Sequence, residues 1–288
     1  MLLPRMPSQH RTLLLTIATL VAFAANSVIG RQGLLSGDIG AAGFAAARLG
    51  AGASALLVLC GPARAWAAGD WPSTVALVGY AFLFSYAYLE VDAGSGALIL
   101  FTVVQVTMLG WGRLRGERLR AAQWTGLALA LGAMAWWLWP RSGSPPLAGT
   151  LAMGAAGIGW GVYSIQGLGS LDPVGRTAGN FVRSALLAGM VLPLLLFWRP
   201  EPVPGWEGLG WAALTGAVTS GLGYVLWYKA LRGLTSSQAG IAQLTVPVIA
   251  AAGGVLLLNE VATARFMIAA VLILTGVALA TFQARSGG

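Results

Sequence analysis

The sequence predicts an all-α integral membrane protein, with ten transmembrane helices arranged as two inverted five-helix repeats. Three observations lead there. Of 288 residues, 57% are hydrophobic and only 9% charged, with mean hydropathy +0.76, whereas a soluble domain carries roughly 25% charged residues. Apolar runs close to the length of about 20 residues that crosses a bilayer recur along the chain. The second half also repeats the first at a fixed offset.

The runs are bounded by charges, prolines or Gly-Asp pairs. The first, residues 12–30, follows Arg5 and Arg11, and its Ala22-Phe23-Ala24 imitates the cleavage site of a secretory leader. Its apolar character continues to Ile29, so it is read as a retained span. The second (41–60) follows Gly37-Asp38, the third (72–89) lies between Asp70 and Glu90, and the fourth (93–112) between Asp92 and Arg113. The fifth (122–140) and sixth (147–169) flank Arg141 and the Pro145-Pro146 pair. The seventh (177–198) ends at Arg199, the eighth (207–228) at Lys229, the ninth (237–258) before Glu260, and the tenth (262–282) before Arg285. The longest connection, residues 61–71, leaves no room for an extramembrane domain, so function must reside among the helices.

Positive charges orient such a bundle. With a cytoplasmic N-terminus, eleven of the 17 Lys and Arg fall in inside segments and four in outside loops, while Arg48 and Arg183 lie within spans. Both termini are therefore expected in the cytoplasm, with the protein a multi-pass resident of the bacterial inner membrane. The basic residues are scattered singly, which argues against a nucleic-acid partner.

Shifting residues 84–117 by 143 places Phe84 on Trp227, Ala87 on Ala230, Thr102-Val103 on Thr245-Val246, Gly110 on Gly253 and Glu117 on Glu260. A second offset of 135 places Arg48 on Arg183. Two five-helix units follow, residues 1–142 and 143–288. Because five is odd, the second enters the membrane from the opposite side, the architecture of alternating access.

The stretch Ala230-Leu231, Pro247-Val248 and Leu258-Asn259-Glu260, followed by a helix containing Gly276, resembles the EamA repeat of the drug/metabolite transporter superfamily. Thr102-Val103-Val104, Arg115-Gly116-Glu117 and the helix around Gly126 and Gly132 repeat it in the first half, with Val104 where the family usually has proline. The resemblance implies a ten-helix exporter of small metabolites, nearest in overall likeness to exporters of aromatic amino acids.

Polar groups in hydrocarbon usually face a cavity or a neighbouring helix. Asn26, Thr102, Gln105 and Gln243 are candidate substrate ligands, with interhelical hydrogen bonding as the alternative. Tyr80, Phe84, Trp160, Tyr163, Tyr224 and Trp227 lie deep enough to wall a cavity on which an aromatic solute could stack. Other tryptophans, such as Trp66, Trp71, Trp139 and Trp206, lie near span ends, where a headgroup-level belt explains them. Pro247 could hinge a gate in the ninth helix, and Gly94 and Gly240 permit helix contact and sliding. No carboxylate is expected near the midplane, so the cavity is read as uncharged and movement as gradient-driven rather than tightly proton-coupled. Glu117 and Glu260 are read as N-terminal charges for the fifth and tenth helices. By helix rise, Arg48 and Arg183 lie within about a dozen ångströms of a surface, where snorkelling suffices and capture of a substrate carboxylate is the alternative.

Catalytic chemistry is not expected. His10 is the single histidine and Cys60 the single cysteine, and GxxxxGK[ST] does not occur. No metal and no cofactor are expected; the partners are the lipid bilayer and a small-molecule substrate. The leading reading is a secondary exporter of small metabolites, amino acids including aromatic ones, working by alternating access. A channel-like pore and a lipid flippase or membrane scaffold are the competing readings.

Overall fold

The computed structural model describes residues 9–116, 120–140, 144–167, 170–234 and 242–282. The described residues are helical, with no strand among them: α1 (Gln9–Leu35), α2 (Ala41–Cys60), α3 (Pro62–Ala67), α4 (Trp71–Ala87), α5 (Ala93–Leu114), α6 (Ala121–Leu138), α7 (Leu147–Gly167) and α8 (Pro173–Trp198). A continuous rod follows, made of α9 (Trp206–Leu214), a π-helical segment (Thr215–Leu222) and α10 (Gly223–Leu231), and then α11 (Thr245–Leu258) and α12 (Ala264–Phe282). By length and composition α1, α2, α5, α8 and the α9–α10 rod can cross a membrane, and α11 and α12 are shorter apolar helices.

Local chemistry sets the boundaries. Asp70 caps α4 by accepting from the Ser73 amide, Asp172 caps α8 through the Gly175 amide, and Pro72 and Pro173 occupy first-turn positions where no amide donor is needed. The first helix outruns its expected end and includes Arg31, because that guanidinium turns onto neighbouring carboxylates instead of leaving for solvent. The 61–71 connection is partly helical, α3 starting with Pro62 behind Gly61 at φ 77°. Asn259 ends α11 in the left-handed conformation (φ 56°), which asparagine tolerates better than other non-glycine residues.

One expectation needs correction and another takes a different form. Pro247 is the third residue of α11, which restarts at Thr245 after a turn at Leu244. Its missing amide is therefore one of the first-turn donors that have no intrahelical acceptor in any helix. Pro247→Ala is expected to change stability by less than about 1 kcal/mol and to leave flux unaltered, which thermal unfolding and vesicle transport of the same preparation would check. Glu260 does not serve its own following helix: its carboxylate accepts from the Ala93 amide at the start of α5 (2.9 Å), while Thr263 accepts from Phe266 at the start of α12. Gly240 and Glu117 lie outside the described residues.

In the packed bundle α4 lies along α7, α2 along α8 and the π segment, α5 along α7 and α11, α1 along α10 and α11, and α6 along α12. Gly94 is one reason the α5–α11 contact is tight, since a methyl group there would stand 2.7 Å from Ala251 Cβ. Apolar side chains such as Leu14, Val58, Leu151, Phe197 and Leu256 are exposed around the outside, a surface suited to lipid rather than water.

Candidate functional site

The centre of the bundle is a small cavity of about 10 Å³, the room of roughly one water. Asn26 and Ser27 reach it from α1 together with Phe23, Tyr80 and Phe84 from α4, Leu100 and Phe101 from α5, Trp160 from α7 and Tyr224 from α10. Of the expected substrate ligands, Asn26, Tyr80, Phe84, Trp160 and Tyr224 thus come together. Tyr163 and Trp227 lie one layer back: Tyr163 stacks on Trp160 at 5.4 Å, and Trp227 meets the edge of Phe23 at 5.6 Å. Thr102, Gln105 and Gln243 are buried but do not line the cavity, and the Thr102 hydroxyl donates to Leu98 of its own helix (2.7 Å).

The rings form a column that runs nearly from face to face. Successive centroid distances are 4.6 Å for Tyr88 to Phe84, 5.2 Å to Tyr80, 5.3 Å to Trp160, 5.4 Å to Tyr163 and 6.0 Å to Tyr228. Spacing and tilt fall in the range where aromatic pairs attract, about 0.5–1.5 kcal/mol each beyond burial.

A charge lies directly behind the cavity wall, against expectation. Arg48 is 1% exposed and does not snorkel. Its Nε donates to Ser220 Oγ (3.1 Å), and its Nη2 donates to the hydroxyls of Tyr80 (3.1 Å) and Tyr224 (3.2 Å). The guanidinium also lies over the rings of Phe84 (4.6 Å) and Tyr80 (5.2 Å). Small residues bring this about. Gly216 of the π segment meets the Arg48 backbone so closely that a methyl group would stand 2.0 Å from its carbonyl oxygen. The long side chain is thereby directed into the bundle rather than along it. The partner helix, being π-wound there, converges two consecutive hydroxyls, Thr219 (3.0 Å) and Ser220 (3.1 Å), on Asn26 Oδ1. Arg183, its counterpart in the repeat, does stay near a face, donating to the carbonyls of Ala68 and Trp66.

Each face is closed by ion pairs. On the side where α1 ends, Arg31 donates to the Tyr88 carbonyl and pairs with Glu260 at 3.6 Å and Asp92 at 3.9 Å. Burial pushes the Glu260 carboxyl above its ordinary range, and the Ala93 amide and Arg31 oppose that. On the other side Arg176 pairs with Asp70 at 2.7 Å, and Arg64 grips Asp172 through two donors at 2.6 and 2.9 Å. Those Arg64 hydrogen bonds hold the Asp172 carboxyl below the usual carboxylate range. Among the described residues no group of three or more His, Cys, Asp or Glu is placed to hold a metal.

A helical bundle with a lipid-suited exterior, a closed aromatic cavity and separate polar closures at its two faces has the form of a membrane transport protein. Residues 147–282 match the model of the EamA-like transporter family. A Pseudomonas aeruginosa relative, the uncharacterized protein PA1977, is 46% identical over 277 residues, covering 94% of each chain. The uncharacterized transporter YoaV of Bacillus subtilis is 26% identical over 216 residues, covering 71% of this chain and 72% of its own. One crystal structure matches with a TM-score of 0.66 at 20% identity, over 97% of this chain and 100% of the other, a likeness of fold alone. The chain belongs to the EamA-like transporter family and is membrane-embedded.

Proposed function

We propose that this protein is a secondary carrier that exports small metabolites with an apolar or aromatic body, amino acids among them, across the bacterial inner membrane by alternating access. The observation that carries the reading is the closed central cavity set between two independent closures, Arg31–Glu260 on one face and Arg176–Asp70 on the other. A carrier needs both, because one must open while the other holds; a pore needs neither.

The proposed architecture is ten transmembrane helices in two inverted repeats divided near residue 142. The helix pairings support it. Exchanging α1, α2, α4, α5 and α6 with α7, α8, α9–α10, α11 and α12 turns α4·α7 into α10·α1, α5·α7 into α11·α1, and the pairing of α2 with the π segment into α8·α4. The pairs α2·α8, α5·α11 and α6·α12 map onto themselves. Both termini lie in the cytoplasm in this scheme, so a periplasm-active reporter fused after Gly288 is expected to stay silent, and a strong signal would contradict the span count.

Counterflow in proteoliposomes tests the carrier reading. Vesicles loaded with unlabelled substrate should accumulate labelled substrate faster than empty ones, over a panel of amino acids, nucleobases and cationic drugs. Equal uptake by loaded and empty vesicles would indicate a channel, and movement of labelled phospholipid alone would indicate a flippase.

A further inference from the structure

Arg48 sits directly behind the wall of the cavity, donating to the lining hydroxyls of Tyr80 and Tyr224. Eight of the nine acidic residues lie in described segments, and all eight are at helix ends or in connections, on the two faces. Among the described residues none pairs with Arg48. A buried guanidinium without an anion is costly, and neutral partners relieve that cost only by accepting hydrogen bonds.

The acceptors around Arg48 are already used. Tyr80 Oη receives Arg48 Nη2 (3.1 Å), Asn26 Nδ2 (3.2 Å) and the Tyr224 hydroxyl (3.4 Å). Tyr224 Oη receives Nη2, and Ser220 Oγ receives Nε. Asn26 Oδ1 is occupied by Thr219 and Ser220. On the donor side, Arg48 Nη1 is buried with no acceptor among the described residues. Two phenol protons share one Tyr224–Tyr80 contact, so one of them is unplaced as well. The cluster therefore carries one full positive charge and surplus donors, and each of its acceptors already receives a hydrogen bond. A carboxylate is its chemical complement, with about four lone-pair sites and one negative charge.

We propose that Arg48, with the hydroxyls of Tyr80 and Tyr224, binds the carboxylate of a monocarboxylate whose apolar or aromatic body lies against Trp160 and Phe23, in preference to a zwitterion or a cation. The preference follows from the same inventory. An ammonium group in this cavity would lie beside a like charge, whereas a carboxylate would meet an opposite charge and hydroxyl donors. This assignment rests on the carrier reading of the same cavity and ranks simple carboxylates above amino acids within it. Binding requires the walls to part, since the cavity as it stands has room for about one water.

The experiment uses three ligands that share a phenyl ring and differ in head group: 3-phenylpropanoate, phenylalanine and 2-phenylethylamine, titrated calorimetrically into the full-length protein in nanodiscs at neutral pH. The expected order is propanoate tightest, phenylalanine weaker by about tenfold or more, and the amine without measurable binding. Arg48→Gln should abolish the preference. Tyr80→Phe and Tyr224→Phe, which remove a hydroxyl but no charge, should each weaken the carboxylate severalfold and leave the fold intact. The wild-type ranking decides the matter even if Arg48→Gln fails to fold. Equal affinity for all three, tighter binding of the amine, or no binding of any at millimolar concentration would overturn the assignment. None of these results bears on counterflow, which tests transport separately and does not require a carboxylate.

Discussion

Replacing Gly216 by alanine is expected to reduce flux at least tenfold and to lower stability by about 1–3 kcal/mol, the usual cost of overpacking. The added methyl group would stand 2.0 Å from the Arg48 carbonyl oxygen and 2.8 Å from its carbonyl carbon. Both are backbone atoms, so no rotamer change relieves the clash and α2 must move away from the π segment. Gly52 reinforces the contact from the other helix, its own added methyl lying 2.9 Å from the Gly216 carbonyl oxygen. Separation there would pull the guanidinium off Ser220 and Tyr224 and open the donor cluster. Gly210→Ala in α9 is the control, because nothing lies within 4 Å of its added methyl. Thermal unfolding and vesicle flux of both variants would check this, and matching behaviour of Gly216→Ala and Gly210→Ala would show the helix contact to be unimportant.

Trp160→Ala should also have a large effect, and a selective one. The indole meets Tyr224 at 4.5 Å, Tyr80 at 5.3 Å, Tyr163 at 5.4 Å and Phe23 at 5.6 Å, so it is the shared member of four ring pairs. Its removal is expected to cost about 3–5 kcal/mol of stability. It should also weaken transport of large aromatic solutes more than that of alanine or threonine, by roughly the 0.5–1.5 kcal/mol of a ring contact. Trp160→Phe separates the two effects. The indole Nε1 has no hydrogen-bond partner among the described residues, so phenylalanine forfeits no bond to the protein and should retain most of the fold. Competition among solutes of graded size, measured on each variant, would check it. An equal loss for every solute would assign the ring to the fold alone.

The helices were readable from composition and bounding charges because hydrocarbon leaves few other ways to satisfy a backbone. The aromatic lining of the cavity was readable too. Tyr80, Phe84, Trp160 and Tyr224 stand out as large rings far from span ends, and Asn26 as an amide in an apolar helix. Thr102, Gln105 and Gln243 had the same standing in sequence, and only packing distinguishes a polar group that faces a cavity from one that faces a helix. The snorkelling reading of Arg48 fails for a physical reason. Distance along a helix gives depth but not azimuth, so an arginine within reach of the surface looked free to extend there. The signal that could have placed it is its setting. Arg48 follows Ala45-Ala46-Ala47 and precedes Leu49-Gly50, and the facing segment runs Gly216-Ala217-Val218-Thr219-Ser220-Gly221. Two small-residue stretches invite backbone contact, and a long side chain caught there points inward. Glu260 likewise cannot be assigned to Ala93 from sequence, because 167 residues separate carboxylate and amide.

Alternating exposure of the cavity is the central claim, and thiol accessibility tests it most directly. Ser27 lines the cavity and is 2% exposed, and Cys60 is the single native cysteine. A Cys60→Ser, Ser27→Cys protein in oriented vesicles should react with a membrane-impermeant thiol reagent applied to either face, at rates that fall when substrate is present. Reaction from one face only, or from neither, would contradict the account.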